Sequence, residues 1–329
     1  MQKWRAQLKF DPLPMLMASG NKAVVYFARR DLLGEAGDPV ETLWCLPEAE
    51  KILRRQQSDG SWKYPGGREQ VRRREDYNQL ETFRNLGWLV EKYGFDRRHA
   101  AIRQAADFLF SHQTEEGDIR GIMGTQYATH YTAGMLELLV KAGFADDPEV
   151  EKGMQWLLMI RQDDGGWAFP LRAANVSYAE AMKLAAPIQP LRSKPFSHLL
   201  TGVVLRAFAA HPRYRNSLEA VEAGKLLLSR FFKSDKYIDR GDKSYWQKVS
   251  FPFWFTDILS ALDSLSLIGF TTAEAEIETA LGWLGELQRE DGSFQLEILK
   301  TGSDGHLPAW VCLAVCRVFR RFYPCLNSI

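Results

Sequence analysis

One short pattern occurs four times in this chain of 329 residues, and it constrains the fold more than any other feature of the sequence. In each copy an acidic residue precedes a glycine, and a large apolar side chain follows two positions later; the glycines are Gly60, Gly117, Gly165 and Gly292. Apolar residues also recur eight, eleven and fifteen positions before each glycine. Steps of three and four place residues on one face of an α-helix. The pattern therefore predicts four helices that each end at a glycine turn.

The residues around each glycine indicate how the turn is stabilised. Glycine adopts the left-handed backbone conformation that ends a helix without a Cβ clash. Four positions earlier stands a side chain that can donate hydrogen bonds: Gln56, Gln113, Arg161 (followed by Gln162) or Gln288. These side chains can bond the backbone of the turn, and rings such as Trp62 and Trp167 can cover it. We expect all of them to be structural.

A fifth, less regular copy lies at residues 226–238, with Lys236 at the glycine position and Ile238 two positions later. Between the copies the sequence predicts helices rich in small and apolar residues at 77–93, 127–142, 196–210, 251–268 and 307–322, after an opening helix at 15–33. Six such helices alternate with five that carry the motif, which is typical of a helical repeat protein. No segment is a confident strand. We expect one domain over residues 1–329, with an ordered core at about 15–322.

The repeated arrangement of Gln, Gly and Trp resembles the QW repeat of squalene–hopene cyclases and of the β subunits of protein prenyltransferases. Domains of these families are (α/α)6 toroids, in which six inner helices surround a lumen and outer helices carry the QW turns. The resemblance extends to single-domain bacterial proteins of the prenyltransferase-like and squalene-cyclase-like kind, notably in the segments 11–34 and 246–265. It implies an all-α (α/α)6 toroid of alternating inner and outer helices, which binds a hydrophobic, isoprenoid-type ligand in an aromatic lumen.

The catalytic motifs of these families are missing. The sequence has no Asp-x-Asp-Asp tetrapeptide, with which class II cyclases protonate their substrate, and no Asp-x-Cys pair of the kind that holds zinc in protein prenyltransferases. It also lacks a DDxxD-type magnesium cluster. The reaction therefore stays undetermined, and no catalytic residue is carried over.

Composition narrows the list of partners. The formal net charge of +1 gives no reason to expect nucleic acid. The N-terminus has no apolar run of signal-peptide length, and no window of about 18 apolar residues occurs. We expect a cytoplasmic protein whose membrane contact is at most peripheral. Cys312 and Cys316 lie four residues apart on an apolar helix. This position favours the interpretation that both are small buried side chains rather than metal ligands.

The long connections lead from motif helices into the intervening helices, so we expect the mouth of a site where the intervening helices begin. Arg172 and Arg192, in the connection 168–195, are candidates for holding an anionic head group, helped by helix N-termini. An apolar tail would then fill the lumen. The aromatic candidates for the substrate-binding surface are Tyr127, Trp246, Phe251, Trp254 and Phe255.

Polar candidates lie near the starts of the intervening helices. Asp257, His130 and His198 are the candidates for proton chemistry. His306 and Asp304 are candidate metal ligands, and zinc is the metal that such residues would suit. The cofactor is otherwise unknown.

Two other functions stay open. The first is a non-catalytic binding or scaffold protein that retains the toroid, which the missing motifs favour. The second is a carbohydrate-active (α/α)6 barrel, which needs two carboxylates about 5 to 10 Å apart across a cleft, and for which Glu81, Asp257 and Asp304 are the candidates. Fold alone does not choose among these functions.

Overall fold

The computed structural model describes residues 3–66, 76–299 and 304–324, and these residues are mainly helical. The α-helices are α1 (Leu13–Met17), α2 (Lys22–Ala28), α3 (Pro47–Leu53), α4 (Tyr77–Tyr93), α5 (Ala100–Phe110), α6 (Thr129–Leu139), α7 (Pro148–Met159), α8 (Pro170–Ala173), α9 (Tyr178–Ala181), α10 (His198–Ala210), α11 (Leu218–Leu228), α12 (Ile258–Ile268), α13 (Ala275–Glu286) and α14 (Leu307–Phe322). Short 3-10 turns lie at 3–7, 40–43, 214–216 and 243–247, and π turns extend α2 at 29–33 and α6 at 140–144. The predicted all-α class is confirmed, and motif helices alternate with intervening helices as expected.

The chain forms two compact units. The first comprises residues 1–39 and 224–329, and the second comprises residues 40–223. In the second unit, the intervening helix α6 packs against α4, α7 and α10. In the first unit, α14 packs against α1, α2 and α12. A single domain over the whole chain stays a prediction.

Three of the four motif glycines occupy positions where a side chain would collide with a neighbouring segment. Gly60, Gly117 and Gly292 all have positive φ, and a Cβ atom on each would lie 2.1 to 2.5 Å from a carbonyl oxygen of a neighbouring segment. For Gly60 that oxygen belongs to Gln104 in α5, and for Gly117 it belongs to Lys152 in α7. The glycine thus ends one motif helix and lets the next one approach its backbone.

The motif glutamines connect the same elements. The Nε2 group of Gln56 donates to the carbonyl oxygen of Gly60 (2.9 Å) and to that of Ala101 in α5 (2.8 Å). The other copies repeat this bridge from Gln113, Arg161 and Gln288 to Glu149, Glu222 and Phe10. The expected structural role of these side chains is therefore seen in hydrogen bonds from each motif turn to another segment, which in the first three copies is the next motif helix.

The aromatic residue after each glycine covers the turn, as expected. Trp62 and Trp167 are fully buried, and each indole nitrogen donates to a carbonyl oxygen of its own helix, at Ile52 (2.8 Å) and Leu157 (2.7 Å). The backbone N–H at this position donates to a threonine of the next intervening helix: Trp62 to Thr82, Ile119 to Thr132 and Trp167 to Thr201. Three buried threonines therefore fix motif turns to α4, α6 and α10.

Three local predictions are wrong. The opening helix predicted at 15–33 is two helices, because the chain leaves α1 after Met17 and begins α2 only at Lys22. The helix predicted at 251–268 begins only at Ile258, since Phe251 precedes a proline, which disfavours helical backbone, and Asp257 caps the helix. In the fifth copy, Ile238 is 82% exposed and covers nothing. Trp246 takes that role, because its ring is buried and its Nε1 donates to the carbonyl oxygen of Lys233 (2.9 Å).

The first unit also contains a small parallel sheet that the sequence did not predict. Strand β1 (Lys248–Val249) pairs with β2 (Glu297–Ile298), with Lys248 opposite Glu297. The sheet ties together two of the long connections, and β1 also contacts α12.

Candidate functional site

The intervening helices of the second unit run in the same direction. Arg206 and Glu137, each about nine residues from the start of α10 and α6, form a buried ion pair with Nε to Oε2 at 2.9 Å. Glu137 also binds Lys141 (2.7 Å), which in turn binds Glu91 of α4 (2.6 Å). Burial alone would raise the pKa of Glu137, but Lys141 and Arg206 lower it. The paired residues are at similar distances from the starts of their helices. The starts of α4, α6 and α10 therefore lie at one end of the unit.

An apolar cluster covers the start of α6. It combines residues before and within α6 with residues of the connection 168–195, which folds into the short helices α8 and α9. The buried members are Met123, Ala128, Leu171 and Ala181, and the half-buried members packed on them are Tyr131, Val176, Tyr178, Met182 and Ile188. We call this set, together with His130 whose ring packs against Tyr131, the α6 mouth. Its members from the connection 168–195 lie over the start of α6, and we call this part of the connection the cover.

Aromatic rings extend the α6 mouth toward α4. The ring of His130 lies 4.0 Å from that of Tyr131 and 5.2 Å from that of Phe169. Phe83 of α4 meets Tyr131 edge to face at 5.8 Å. Phe83 can come this close because Gly134 has no side chain. A Cβ atom at that position would lie only 2.8 Å from the Phe83 ring. These rings offer apolar faces that suit a hydrophobic ligand.

The side chain of Gln126 fastens the cover. Its amide nitrogen donates to the carbonyl oxygens of Ala181 (3.0 Å) and Ala186 (3.1 Å), and its oxygen accepts from the backbone N–H of Ile188 (2.9 Å). Gln126 is itself buried. Thr125 adds a bond from its hydroxyl to the carbonyl oxygen of Leu184 (2.9 Å). Farther along the connection, Gln162 donates to Leu191 (2.8 Å).

Tyr127, a predicted ligand-binding residue, also takes part in this fastening. Its hydroxyl donates to Glu116 (2.5 Å) and accepts from Gln189 (3.1 Å). Burial and the bond to Glu116 raise the pKa of Tyr127. The guanidinium of Arg120 lies 5.0 Å from its ring centroid. The role that the structure shows for Tyr127 is to join the cover to a motif turn.

The other predicted residues of the second unit lie at different places. His130 lies in the α6 mouth, whereas His198 is buried at the first position of α10. Arg172 lies on α8 and is half-buried. Arg192 is exposed and lies 3.4 Å from Asp163. No local pattern of the sequence points to Gln126 or Gln189, because their partners are backbone or side-chain groups about 60 residues away.

The predicted aromatic residues of the first unit form a second group. Phe251 stacks on Trp310 of α14 with ring centroids 5.3 Å apart, and it also contacts Phe253. Trp254 and Phe255 are half-buried, and Phe255 lies under the guanidinium of Arg240. Trp246 belongs to the fifth motif turn, as described above.

Asp257 acts on its own helix. One oxygen accepts from the backbone N–H of Ser260 (2.9 Å), while the hydroxyl of Ser260 accepts from the backbone N–H of Asp257 (2.9 Å). This reciprocal arrangement is a capping box. The Asp-x-x-Ser spacing before an apolar run was the signal in the sequence that could have predicted it.

The remaining polar candidates show no shared site. Asp304 accepts from the backbone N–H of His306 (2.8 Å), and both are exposed at the start of α14. Glu81 accepts from Asn85 within α4 (3.1 Å). Within residues 3–66, 76–299 and 304–324, no group of three or more His, Cys, Asp or Glu side chains is arranged to hold a metal ion. Over the same residues, no helix is both long and apolar enough to span a membrane.

Comparison with known proteins supports the predicted relationship. Residues 79–189 match the family model of the squalene-hopene cyclase C-terminal domain. This segment runs from α4 to the connection that covers α6. The search of curated proteins finds no match.

Several solved structures are similar at low identity. One is a variant of the type II terpene cyclase MstE from Scytonema in complex with its substrate geranylgeranyl dihydroxybenzoate, at 15% identity over 95% of this chain and 99% of that chain, with a TM-score of 0.45. A protein from Actinoplanes shares 18% identity over 83% and 96% of the two chains (TM-score 0.31), and MstE without ligand shares 16% over 82% and 94% (TM-score 0.30).

Proposed function

We propose that this protein, which is similar to the squalene-hopene cyclase C-terminal domain over residues 79–189, binds a hydrophobic ligand of the isoprenoid class in the α6 mouth. The observation that carries the proposal is the apolar cluster that the connection 168–195 forms over the start of α6. The segment that matches the squalene-hopene cyclase model contains every member of this cluster. Apolar lining with a few placed polar groups is the usual composition of a small-molecule site.

The chemistry of the lining favours an unsaturated hydrocarbon chain. Met182, Leu171 and Ile188 offer flexible apolar contact, and the rings of Tyr131 and Phe169 offer π faces. Such faces stabilise cationic carbon when a polyene reacts. An anionic head group would find Arg172 on α8, at the same connection.

Binding is tested by titrating the protein with geranylgeraniol and with geranylgeranyl diphosphate, followed by tryptophan fluorescence. Met182→Asp places a carboxylate in the α6 mouth, and we expect at least a tenfold loss of affinity. Met159→Asp is the matched control, because Met159 lies on α7 with 55% of its surface exposed. Equal affinity of the two variants for either ligand would refute this location.

A disulfide tests whether the ligand enters beneath the cover. Thr125→Cys with Leu184→Cys would join two residues that already share a hydrogen bond, in a background with Cys45 and Cys325 replaced by Ser. We expect the oxidised protein to take up geranylgeraniol at least tenfold more slowly than the reduced protein. Uptake at the same rate in both states would show that the ligand does not pass the cover.

Catalysis is a separate step of the proposal, for which His130, His198 and Asp257 are the candidate proton donors. Asp257→Asn keeps a side-chain oxygen that can cap α12 but removes the carboxyl group, and His130→Gln removes the only imidazole that we place in the α6 mouth. Product analysis after incubation with polyprenyl substrates gives the readout. Turnover that falls in either variant while binding persists supports an enzyme, whereas binding without turnover in the wild type supports the scaffold function.

A further inference from the structure

Arg240 lies over two aromatic rings in the first unit. Its guanidinium carbon is 3.7 Å from the ring centroid of Phe255 and 5.2 Å from that of Tyr245. The ammonium nitrogen of Lys248 lies 5.1 Å from the same Tyr245 ring. Two cations are thus held at one ring, in the connection that leads to α12.

Arg240 differs from every comparable arginine. In the described part of the chain, seven other arginines lie over aromatic rings, and each of them also pairs with a carboxylate: Arg30, Arg97, Arg98, Arg120, Arg161, Arg213 and Arg317. Arg240 has the rings but no carboxylate partner among the described residues. Stacking on a ring leaves the N–H groups at the edge of the guanidinium plane, where they can donate to two oxygens of one anion.

The backbone at Arg240 is also unusual. Its φ is +46°, in the left-handed region that favours Gly or Asn. The next residue, Gly241, lies so close to the carbonyl oxygen of Tyr237 that a Cβ atom would be 2.0 Å from it. The tight turn therefore holds a charged side chain at a position where its backbone is strained. Strain of this kind is concentrated at functional sites.

Two neighbouring carboxylates interact with the backbone or with Lys248 rather than with Arg240. Asp242 accepts from the backbone N–H of Ser244 (2.8 Å), and bonds from Ser244 lower the pKa of Asp242, with smaller effects of Lys243 and Lys248. Glu297 lies 3.4 Å from Lys248 and is the only carboxylate of the described residues within ion-pair distance of either cation. Among the described residues, the charge of Lys248 is therefore partly balanced by Glu297, whereas the charge of Arg240 is balanced by no ion pair.

We propose that Arg240, with Lys248, forms a binding site for a phosphate-type oxyanion. The guanidinium would hold two oxygens of the anion in its plane, and Phe255 and Tyr245 would fix that plane. Lys248 would add a second positive charge beside it. The site lies in the first unit and stands independently of the ligand proposed for the α6 mouth.

Isothermal titration with inorganic diphosphate at low salt tests this site. We expect saturable one-to-one binding in the wild type and at least a tenfold weaker affinity in Arg240→Gln. Lys243→Gln removes an exposed cation from the same connection and serves as the matched control, with affinity within twofold of the wild type. Wild-type affinity in Arg240→Gln, or no binding to the wild type, would overturn the proposal.

A second variant separates binding from folding. Arg240→Gly suits the left-handed backbone, so its thermal midpoint should equal or exceed that of the wild type while diphosphate binding is lost. Retained binding in Arg240→Gly would also overturn the proposal.

Geranylgeranyl diphosphate tests the source of the anion. Affinity at least tenfold above that of inorganic diphosphate, and dependent on Arg240, identifies the head group of a lipid, and equal affinity identifies a free phosphate compound.

Discussion

Gly60, Gly117 and Gly292 stand where any side chain would meet the backbone of a neighbouring segment. Gly60 combines this close approach with a φ of +87°, so two separate costs attach to the same position. Gly20 has a φ of +71° but open space around a Cβ atom, and Gly282 lies within α13 with open space and ordinary helical backbone. Substitution of the three glycines by alanine therefore distinguishes the effects of backbone strain, of steric collision and of helix propensity on stability.

We expect Gly60→Ala to lower the free energy of unfolding by about 3 kcal/mol, because strain and collision add. Gly20→Ala should cost about 1 kcal/mol from strain alone. Gly282→Ala should raise stability by about 0.5 kcal/mol, as alanine favours helix. Urea unfolding of the three variants measures these differences, and a Gly60→Ala variant no less stable than Gly20→Ala would contradict the close approach.

His112 also acts at the scale of a single residue. Its Nδ1 faces the carbonyl oxygen of Phe108 (2.9 Å), and its Nε2 faces the carboxylate of Asp76 (3.1 Å), which caps α4. Only the protonated ring can donate to both acceptors. The bond to Asp76 raises the pKa of His112 against burial, with a smaller effect of Asp59. Burial would raise the pKa of Asp76, but the bonds from His112 and Gln79 lower it.

This pair predicts a pH dependence of stability. The contribution is complete above the ordinary aspartate pKa of 3.8 and below the ordinary histidine pKa of 6.5, and it is lost as the pH rises through the raised pKa of His112. We expect the wild type to lose about 1 kcal/mol from about pH 6 to about pH 8.5 relative to His112→Gln. Denaturant unfolding across this range measures the difference. Parallel curves for the two proteins would show that the pair contributes nothing.

At the scale of elements, buried threonines fix the motif turns to the intervening helices. Thr201 of α10 accepts from the backbone N–H of Trp167 (2.9 Å), and both are fully buried. Thr201→Val keeps the shape and leaves that N–H without an acceptor. We expect a loss of about 1 to 3 kcal/mol in unfolding free energy. Thr279→Val, on the exposed face of α13, should change stability by less than about 0.5 kcal/mol, and equal effects would contradict the role of Thr201.

The elements were predictable where the helical repeat is regular. The predicted bounds 77–93 and 307–322 coincide with α4 and α14, because apolar residues recur along both helices and their starts are marked by the cap Asp76 and by Pro308 in the first turn. The prediction failed at 251–257, where aromatic residues continue the apolar pattern outside the helix. The threonine contacts could not be predicted, since connections of different length separate each turn from its threonine.

At the scale of the whole molecule, the resemblance to squalene–hopene cyclases was predictable and the site was not. The resemblance rests on repetition of the motif, and residues 79–189 match the model of the squalene-hopene cyclase C-terminal domain. The α6 mouth depends on contacts such as Gln126 with Ile188, which no local pattern records. At Asp257 the residue type alone suggested a role that the observed contacts do not require. A carboxyl group suits proton chemistry, but the bonds of Asp257 to Ser260 form a helix cap.

Photoaffinity mapping tests the central claim most directly. A geranylgeranyl probe that carries a diazirine would be irradiated with the protein, with and without excess geranylgeraniol, and the labelled peptides would be identified by mass spectrometry. We expect competitor-sensitive labelling confined to peptides that contain residues 123–131 and 171–188. Saturable labelling confined to peptides from residues 224–324, or labelling that the competitor does not reduce, would contradict a ligand site in the α6 mouth.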